Sequence, residues 1–207
     1  MKKIKIEKLF LFFLLLLFCP SSLLAQEGIR IKADLVLYDQ EIEKVSASGN
    51  VKVEWQDFQV ITQEIVFFVS TQELWVPYSL DATLGGNQVL GDQLYYSFLQ
   101  DEGWVKKAEL IYKMGEEGKL YFRGEKIEYL KGKWTGNNLL LTGCEKDPPL
   151  YSLRAKEVVI YPQDRLVLEG LSFYFREKKI LELPFYSRVL GEEGATFSPT
   201  LGYSRKR

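Results

Sequence analysis

The stretch IRIKADLVLYDQEIEKVSASGNVKVEWQDFQVITQEIVFFV, residues 29–69, has the clearest strand pattern in the chain. It contains three runs in which apolar and polar side chains alternate, and a side-chain period of two is typical of half-buried strands. Gly49 and Asn50 tolerate positive φ and predict a turn between the first two runs. Gln56 and Asp57 predict the next turn, so the stretch indicates three consecutive antiparallel strands.

The rest of the chain repeats this pattern at irregular intervals. Alternating runs are separated by turn signals such as Gly85-Gly86-Asn87 and Lys131-Gly132-Lys133. Residues 41–45 and 105–114 have some helical character, but the stronger alternation around them favours strand edges or turns. The predicted fold class is therefore all-β.

Composition narrows the functional classes. Hydrophobic residues make up 46% and charged residues 27% of the chain, which indicates a folded protein, and 14% aromatic residues favour strands. The net charge of -1 gives no reason to expect a nucleic-acid partner. Since the chain has no His, it has no His-based triad or His metal ligand. We expect no cofactor and no metal site.

The N-terminus has the pattern of a secretory signal peptide. Four lysines lie within the first eight residues, and the apolar run 9–18 that follows is shorter than the roughly 20 residues of a membrane helix. Leu23-Leu24-Ala25 is an acceptable cleavage site. We predict a signal peptide over residues 1–25; an uncleaved anchor is the alternative.

Two features resemble catalytic groups. Cys144 lies near Pro148-Pro149 and, without His, its activation as a nucleophile would need Lys146 or a backbone site. The acid pairs Glu116-Glu117 and Glu192-Glu193 adjoin glycines, which is typical of solvated loops rather than of a glycosidase pair. We therefore predict that the protein is not an enzyme and has no catalytic residue.

Several segments, taken in order, resemble the OstA-like β-jellyroll family. That family includes the lipopolysaccharide bridge proteins LptA and LptC and the N-terminal periplasmic domain of LptD, to which the second half of the chain is most similar. The segments are 31–39, 48–53, Thr142-Gly143-Cys144 with Pro148-Pro149, 151–155, Leu183-Pro184-Phe185-Tyr186, and Arg188 with Gly191, Phe197, Pro199 and Gly202. The chain departs from the LptD pattern in its single mature cysteine and in Glu192-Glu193.

The resemblance implies an open antiparallel β-jellyroll, a V-shaped pair of sheets, over residues 26–187. Residues 188–207 are expected to be a linker or the start of a barrel. Because alternation is lost there and no closing strand follows, the sequence is expected to be interrupted.

The function implied by the resemblance is lipopolysaccharide transport. The protein is expected in the periplasm, associated with the outer membrane, where its partners would be lipopolysaccharide or a related glycolipid, other jellyroll proteins joined by edge-strand pairing, and an outer-membrane barrel. The expected lipid-binding groove consists of Ile31, Leu35, Val53, Trp55, Ile61, Ile65, Phe67, Leu94, Tyr96, Phe122, Leu141, Leu168 and Phe173.

Other interpretations remain open at this point. The alternating apolar residues also fit the core of a closed sandwich about 10 Å thick, in which case the protein is a structural envelope protein that binds a protein partner. An LptA/LptC-like bridge protein and a secreted carbohydrate-active enzyme are further alternatives. Co-purification with lipid separates an open groove from a closed core.

Overall fold

A computed structural model describes residues 28–114, 118–162 and 164–190. These residues form fourteen strands and no helix, which confirms the all-β fold class. The strands are β1 (Arg30–Lys32), β2 (Leu35–Asp39), β3 (Lys44–Trp55), β4 (Phe58–Phe68), β5 (Glu73–Val76), β6 (Leu80–Leu84), β7 (Asn87–Gly91), β8 (Gln93–Ser97), β9 (Glu102–Lys113), β10 (Lys119–Leu130), β11 (Lys133–Thr142), β12 (Tyr151–Tyr161), β13 (Arg165–Phe175) and β14 (Lys178–Val189). Residues 41–45 form a turn and the start of β3, as predicted, whereas residues 105–113 lie within the long strand β9 and not at a strand edge or turn.

All the strand pairs are antiparallel, and they form one hydrogen-bonded sheet. Its main path runs β1-β3-β4-β5-β8-β9-β10-β11-β12-β13-β14. The long strands β4 and β9 each pair with two shorter strands, one after the other, along the same edge. β4 pairs first with β6 and then with β5, and β9 pairs first with β8 and then with β7. Because β6 also pairs with β7, the six strands β4 to β9 close into a ring, from which β10 to β14 continue as a run.

The opening stretch follows the predicted strands, with one correction. Gln56 and Asp57 form the turn between β3 and β4. Gly49 and Asn50 have the expected positive φ angles of 76° and 46°, but they form a bulge inside β3 and not a turn. The bulge binds Asp34, whose N–H donates to the Gly49 carbonyl oxygen at 2.8 Å and whose Oδ2 accepts from Asn50 Nδ2 at 2.8 Å. This contact separates β1 from β2, and both pair with β3.

Seven of the long strands each contain a pair of consecutive residues that are both unburied. These pairs form a transverse line across the sheet, which we call the crease. At each pair the inward-outward alternation slips by one residue, so that the same face stays buried on both sides. The pairs are Gln63-Glu64, Lys106-Lys107, Glu125-Lys126, Asn137-Asn138, Lys156-Glu157, Glu169-Gly170 and Pro184-Phe185. Lys107, Asn138 and Gly170 have positive φ angles, which shift the inward-outward alternation at three of these pairs.

The buried face of the sheet forms one hydrophobic cluster that extends from Ala47 to Leu190. Leu139 lies in it against two glycines: a Cβ on Gly124 would lie 2.3 Å from its Cδ2, and a Cβ on Gly136 would lie 2.7 Å from its Cδ1. The close approach at the crease therefore depends on both glycines. The last strand ends at Val189, two residues beyond the predicted domain end at 187. The predicted signal peptide and residues 191–207 lie outside the described residues.

Candidate functional site

One continuous row of apolar side chains crosses the inner face from the first strand to the last. Residues paired across antiparallel strands share a face, so the register defines the row directly. It consists of Ile31, Val53, Val60, Ala82, Val89, Leu110, Phe122, Leu141, Leu153, Phe173 and Leu181. We call this set the apolar row. Every member is apolar, and the row crosses eleven strands.

The exposure of the apolar row changes along its length. From Val53 to Leu141 the side chains are at most 2% exposed. Leu153 and Phe173 are half-buried, and Leu181 on the last strand is 50% exposed. Ile31, at the other end, is also only half-buried. The row is therefore enclosed in its middle and accessible at both ends, most widely at β12 to β14.

Aromatic rings pack on the same inner face beside the row. Phe58 stacks on Tyr96 with ring centroids 4.7 Å apart, and Tyr129 contacts Trp134 edge to face at 4.9 Å. The Tyr96 hydroxyl donates to Asp101 Oδ1 at 2.6 Å. Burial, and then Asp101, raises the pKa of Tyr96 far above its usual range, and burial also raises the pKa of Tyr129. In both residues burial therefore favours the neutral phenol over the phenolate.

Eleven of the thirteen groove residues predicted from the sequence lie on the inner face. Five of them belong to the apolar row: Ile31, Val53, Phe122, Leu141 and Phe173. Ile65, Phe67, Leu94, Tyr96 and Leu168 are buried in the same cluster, and Trp55 packs against it half-buried.

The other two predicted groove residues, Leu35 and Ile61, lie on the outer face, apart from the rest. Ile61 is 48% exposed and pairs with Lys52 and Asp81 on the outer face, because the alternation in β4 slips at Gln63-Glu64, before Ile65. Leu35 is 52% exposed and pairs with Ser48 on the outer face, because the Ala33-Asp34 break shifts the alternation after Ile31.

Six members of the apolar row were not predicted: Val60, Ala82, Val89, Leu110, Leu153 and Leu181. The period-two pattern of residues 80–84 contained the signal for Ala82. The row itself had no sequence signal, because it depends on the register between strands far apart in the chain.

Both lateral edges of the sheet are apolar and unpaired among the described residues. At one edge, β2 pairs only with β3, and its residues 35–38 are 49% to 59% exposed. At the other edge, β14 pairs only with β13 and exposes Ile180, Leu181, Phe185 and Val189 by 50% to 61%. An edge strand presents free N–H and C=O groups to an incoming strand. These two edges are therefore candidate docking sites for other β-strands.

Cys144 lies in the loop between β11 and β12 and is half-buried. Its N–H donates to Thr142 Oγ1 at 3.1 Å, and hydrogen bonds from the backbone of Lys146 and then of Leu150 hold the pKa of the thiol below its usual range. Arg123 holds the same loop through an ion pair with Asp147 at 3.7 Å. The described residues contain no cluster of three or more potential metal ligands. Among them, no helix has the length and hydrophobicity needed to cross a membrane.

No protein-family model matches the chain, and no curated protein matches it in sequence.

Proposed function

We propose that this protein is a lipid-transport module that carries lipopolysaccharide, or a related glycolipid, along its inner face. The observation that carries this proposal is the apolar row, which runs without a polar residue from one edge strand to the other and is accessible at both ends. Acyl chains that move along such a row exchange one apolar contact for the next, so little apolar surface meets water. No bond is made or broken.

The architecture that suits this function is an open jellyroll in which the crease folds the long strands into two facing layers. A sheet that buries one face needs a second layer to cover it. In β10, Phe122 and Ile127 lie on opposite sides of the crease and are each 1% exposed. In β12, Ala155 and Val158 also lie on opposite sides of the crease, and they are 2% and 1% exposed. The two halves covering each other would account for this burial.

The lipid would enter between Leu153, Phe173 and Leu181, where the apolar row is most accessible. Farther in, Leu141 and Phe122 are fully buried, so acyl chains would have to displace side chains or part the two layers. The ring of β4 to β9 would limit how far the layers part at its end. The mouth at β12 to β14 would open more easily, since only one side of β14 is paired.

The partners would be similar domains that join at the edges, strand to strand. An added strand gains main-chain hydrogen bonds, and its side chains meet the exposed apolar side chains of β2 or β14. The row ends on β14 at one side and on β1, next to β2, at the other, so docking at β14 would extend it directly into the next domain. The proposed location is the periplasm, next to the outer membrane, in keeping with the predicted signal peptide.

Site-specific photo-crosslinking tests the lipid path. The whole chain would carry a photo-reactive residue at Leu153 or Phe173 and be incubated with purified lipopolysaccharide. We expect capture at both positions. The matched control is Arg154, which follows Leu153 on the same strand but points outward. Equal capture at Arg154 and Leu153, or none at any position, would contradict the proposal.

Lysine substitutions test the docking edge at β14. Phe185→Lys and Ile180→Lys place charge on an exposed edge, where lysine opposes strand addition. We expect both variants to fold as the wild type does and to lose self-association in analytical ultracentrifugation. The control, Tyr161→Lys, changes an exposed aromatic residue of β12, an interior strand of the sheet. Undiminished association of the edge variants would exclude β14 as a docking edge.

The rival function is a closed envelope protein that binds only a protein partner. The burial of Val53, Ile65 and Leu141, each 0% exposed, favours this rival, because these side chains already fill the interior. In that case no lipid should co-purify or crosslink, while edge pairing should persist. The two experiments together therefore separate the two functions.

A further inference from the structure

The outer face of the sheet carries an aromatic cluster that the proposed lipid path does not use. Trp75, Tyr95 and Trp104 lie on β5, β8 and β9 as direct cross-strand partners and point away from the core. Their ring centroids are 4.8 Å apart for Trp75 and Tyr95, 5.9 Å for Trp75 and Trp104, and 6.2 Å for Tyr95 and Trp104. Trp75 is 42% exposed. We call these three residues the aromatic platform.

A polar hollow of about 350 Å³ adjoins the platform. Its lining includes Tyr95 and Trp104 together with four residues that have polar side chains, Glu102, Glu128, Lys133 and Thr135. The hollow is within the size range of small-molecule sites, which combine apolar walls with a few placed polar groups. Glu102, Lys133 and Thr135 form no side-chain hydrogen bond or ion pair with another described residue, so their polar atoms are available to a ligand.

The platform is held in place by its neighbours. The Tyr95 hydroxyl donates to Glu73 Oε1 at 2.7 Å, and burial together with Glu73 raises the pKa of Tyr95 to about 12. The ammonium groups of Lys106 and Lys126 lie 5.3 Å and 5.6 Å from the centre of the Trp104 ring. These contacts order the rings before a ligand arrives, which reduces the entropy lost on binding.

We propose that the platform and the hollow together form a binding site for a neutral oligosaccharide. The face of a pyranose ring presents C–H groups that pack against the electron-rich face of an aromatic ring, while its hydroxyls pair with carboxylates, ammonium groups and hydroxyls. The hollow would take one sugar ring, and the exposed platform would support its neighbours.

Charge balance supports a neutral ligand. Three carboxylates, Glu73, Glu102 and Glu128, and three ammonium groups, Lys106, Lys126 and Lys133, surround the site. Glu128 and Lys126 are already paired at 2.6 Å. The site therefore has no excess charge with which to select a phosphorylated or strongly acidic sugar.

A proline-rich peptide is the rival ligand, because such peptides also dock on aromatic surfaces. They require grooves between aromatic side chains. Here the three ring centroids lie only 4.8 to 6.2 Å apart, so the rings pack against one another and do not form the two walls of a groove. The C–H face of a pyranose chair can stack on one exposed aromatic ring, such as that of Trp75, and needs no such groove, so the geometry favours the saccharide.

Calorimetric titration of the whole chain tests the site. The probes are cellohexaose, maltohexaose and chitohexaose, with polygalacturonate as an acidic comparison and a decaproline peptide as the rival ligand. We expect binding of at least one neutral hexasaccharide, accompanied by a change in tryptophan fluorescence. No binding of any neutral hexasaccharide at millimolar concentration, or preferential binding of the peptide or the acidic polymer, would overturn the proposal.

Variants locate the site. Trp75→Ala and Trp104→Ala should each lower the affinity about tenfold, the value of one stacking contact. Glu102→Gln should lower it less. Phe175→Ala is the matched control, since Phe175 is a 44% exposed aromatic residue with Arg176 over its ring and lies on β13, four strands from β9 in the sheet.

If Trp104→Ala does not fold, Trp75→Ala still gives a result, because Trp75 is the more exposed ring. Affinity equal to the wild type in the folded platform variants would overturn the proposal. Lipid capture at Leu153 should not change in these variants, since the platform lies on the opposite face. A failure of the lipid proposal is thus distinct from a failure of this one.

Discussion

The ring of β4 to β9 and the run of β10 to β14 are built from strands with the same alternation, but they bury it differently. In the ring, the members of the apolar row are at most 2% exposed, from Val60 to Leu110. In the run, burial falls with distance from the ring, from Phe122 at 1% to Leu181 at 50%. Closure accounts for the contrast, because ring strands have neighbours on all sides whereas the run ends at an unpaired edge. The same alternation in sequence therefore gives a core in one region and an accessible apolar surface in the other.

A buried charge gives the largest contrast between the two regions. Leu110→Asp places an unpaired carboxylate in the ring and should cost several kcal/mol, enough to unfold a domain of ordinary stability. Leu181→Asp places the same group at the exposed end of the same row and should change the free energy of unfolding by less than about 0.5 kcal/mol. Urea unfolding measures both. Similar losses in the two variants would show that the run is as closed as the ring.

Shortening the same side chain in both regions gives a smaller contrast. Leu110→Ala should lower the free energy of unfolding by about 2–5 kcal/mol, the range for fully buried leucines. Leu153→Ala should cost about 1 kcal/mol, since half of that side chain already meets solvent. Urea unfolding again provides the measurement, and an equal cost at both positions would contradict the predicted gradient.

Glycine substitutions sharpen the comparison at the level of packing. A Cβ on Gly103 in the ring would lie 2.4 Å from the backbone oxygen of Tyr95, which cannot move freely. Gly103→Ala should therefore cost about 2–3 kcal/mol. Gly136→Ala in the run meets only the side chain of Leu139 and should cost about 1 kcal/mol. The double variant Gly136→Ala with Leu139→Ala should be less destabilised than the sum of the single changes, as a thermodynamic cycle would show.

The smallest expected effect is the loss of stability at alkaline pH that follows from ionisation of Tyr96 in the ring. The raised pKa of Tyr96 means that the folded state keeps its proton at a pH where the unfolded chain, with a value near 10, has lost it. Stability should be independent of this group below about pH 10 and should fall as the pH rises further. Tyr96→Phe should be less stable at neutral pH, through loss of the bond to Asp101, but should lose less on going from pH 9 to pH 11. An unchanged pH dependence would mean that other tyrosines cause the alkaline loss.

Much of the fold was predictable from local pattern. The alternation identified the strands, Gln56 and Asp57 marked a turn, and 11 of the 13 predicted groove residues lie on the inner face. The errors at Leu35 and Ile61 have one physical cause. A period-two pattern predicts a face only while the pleat is unbroken, and in both strands a one-residue slip intervenes. The positive φ angles predicted for Gly49 and Asn50 are correct, but the predicted turn is wrong. The two residues form a bulge, and bulges use positive φ as turns do.

The local sequence pattern was enough to specify the all-β class, most strand positions and the apolar character of the inner face, because each follows from neighbouring residues and the two-residue period of a strand. The closed ring, the crease, the apolar row and the aromatic platform became visible only in the folded structure. The row joins residues as distant as Ile31 and Leu181, and the platform joins Trp75 to Trp104 through Tyr95. Such neighbours are set by strand order and register, which depend on how many strands pack around one core at once and not on any one segment.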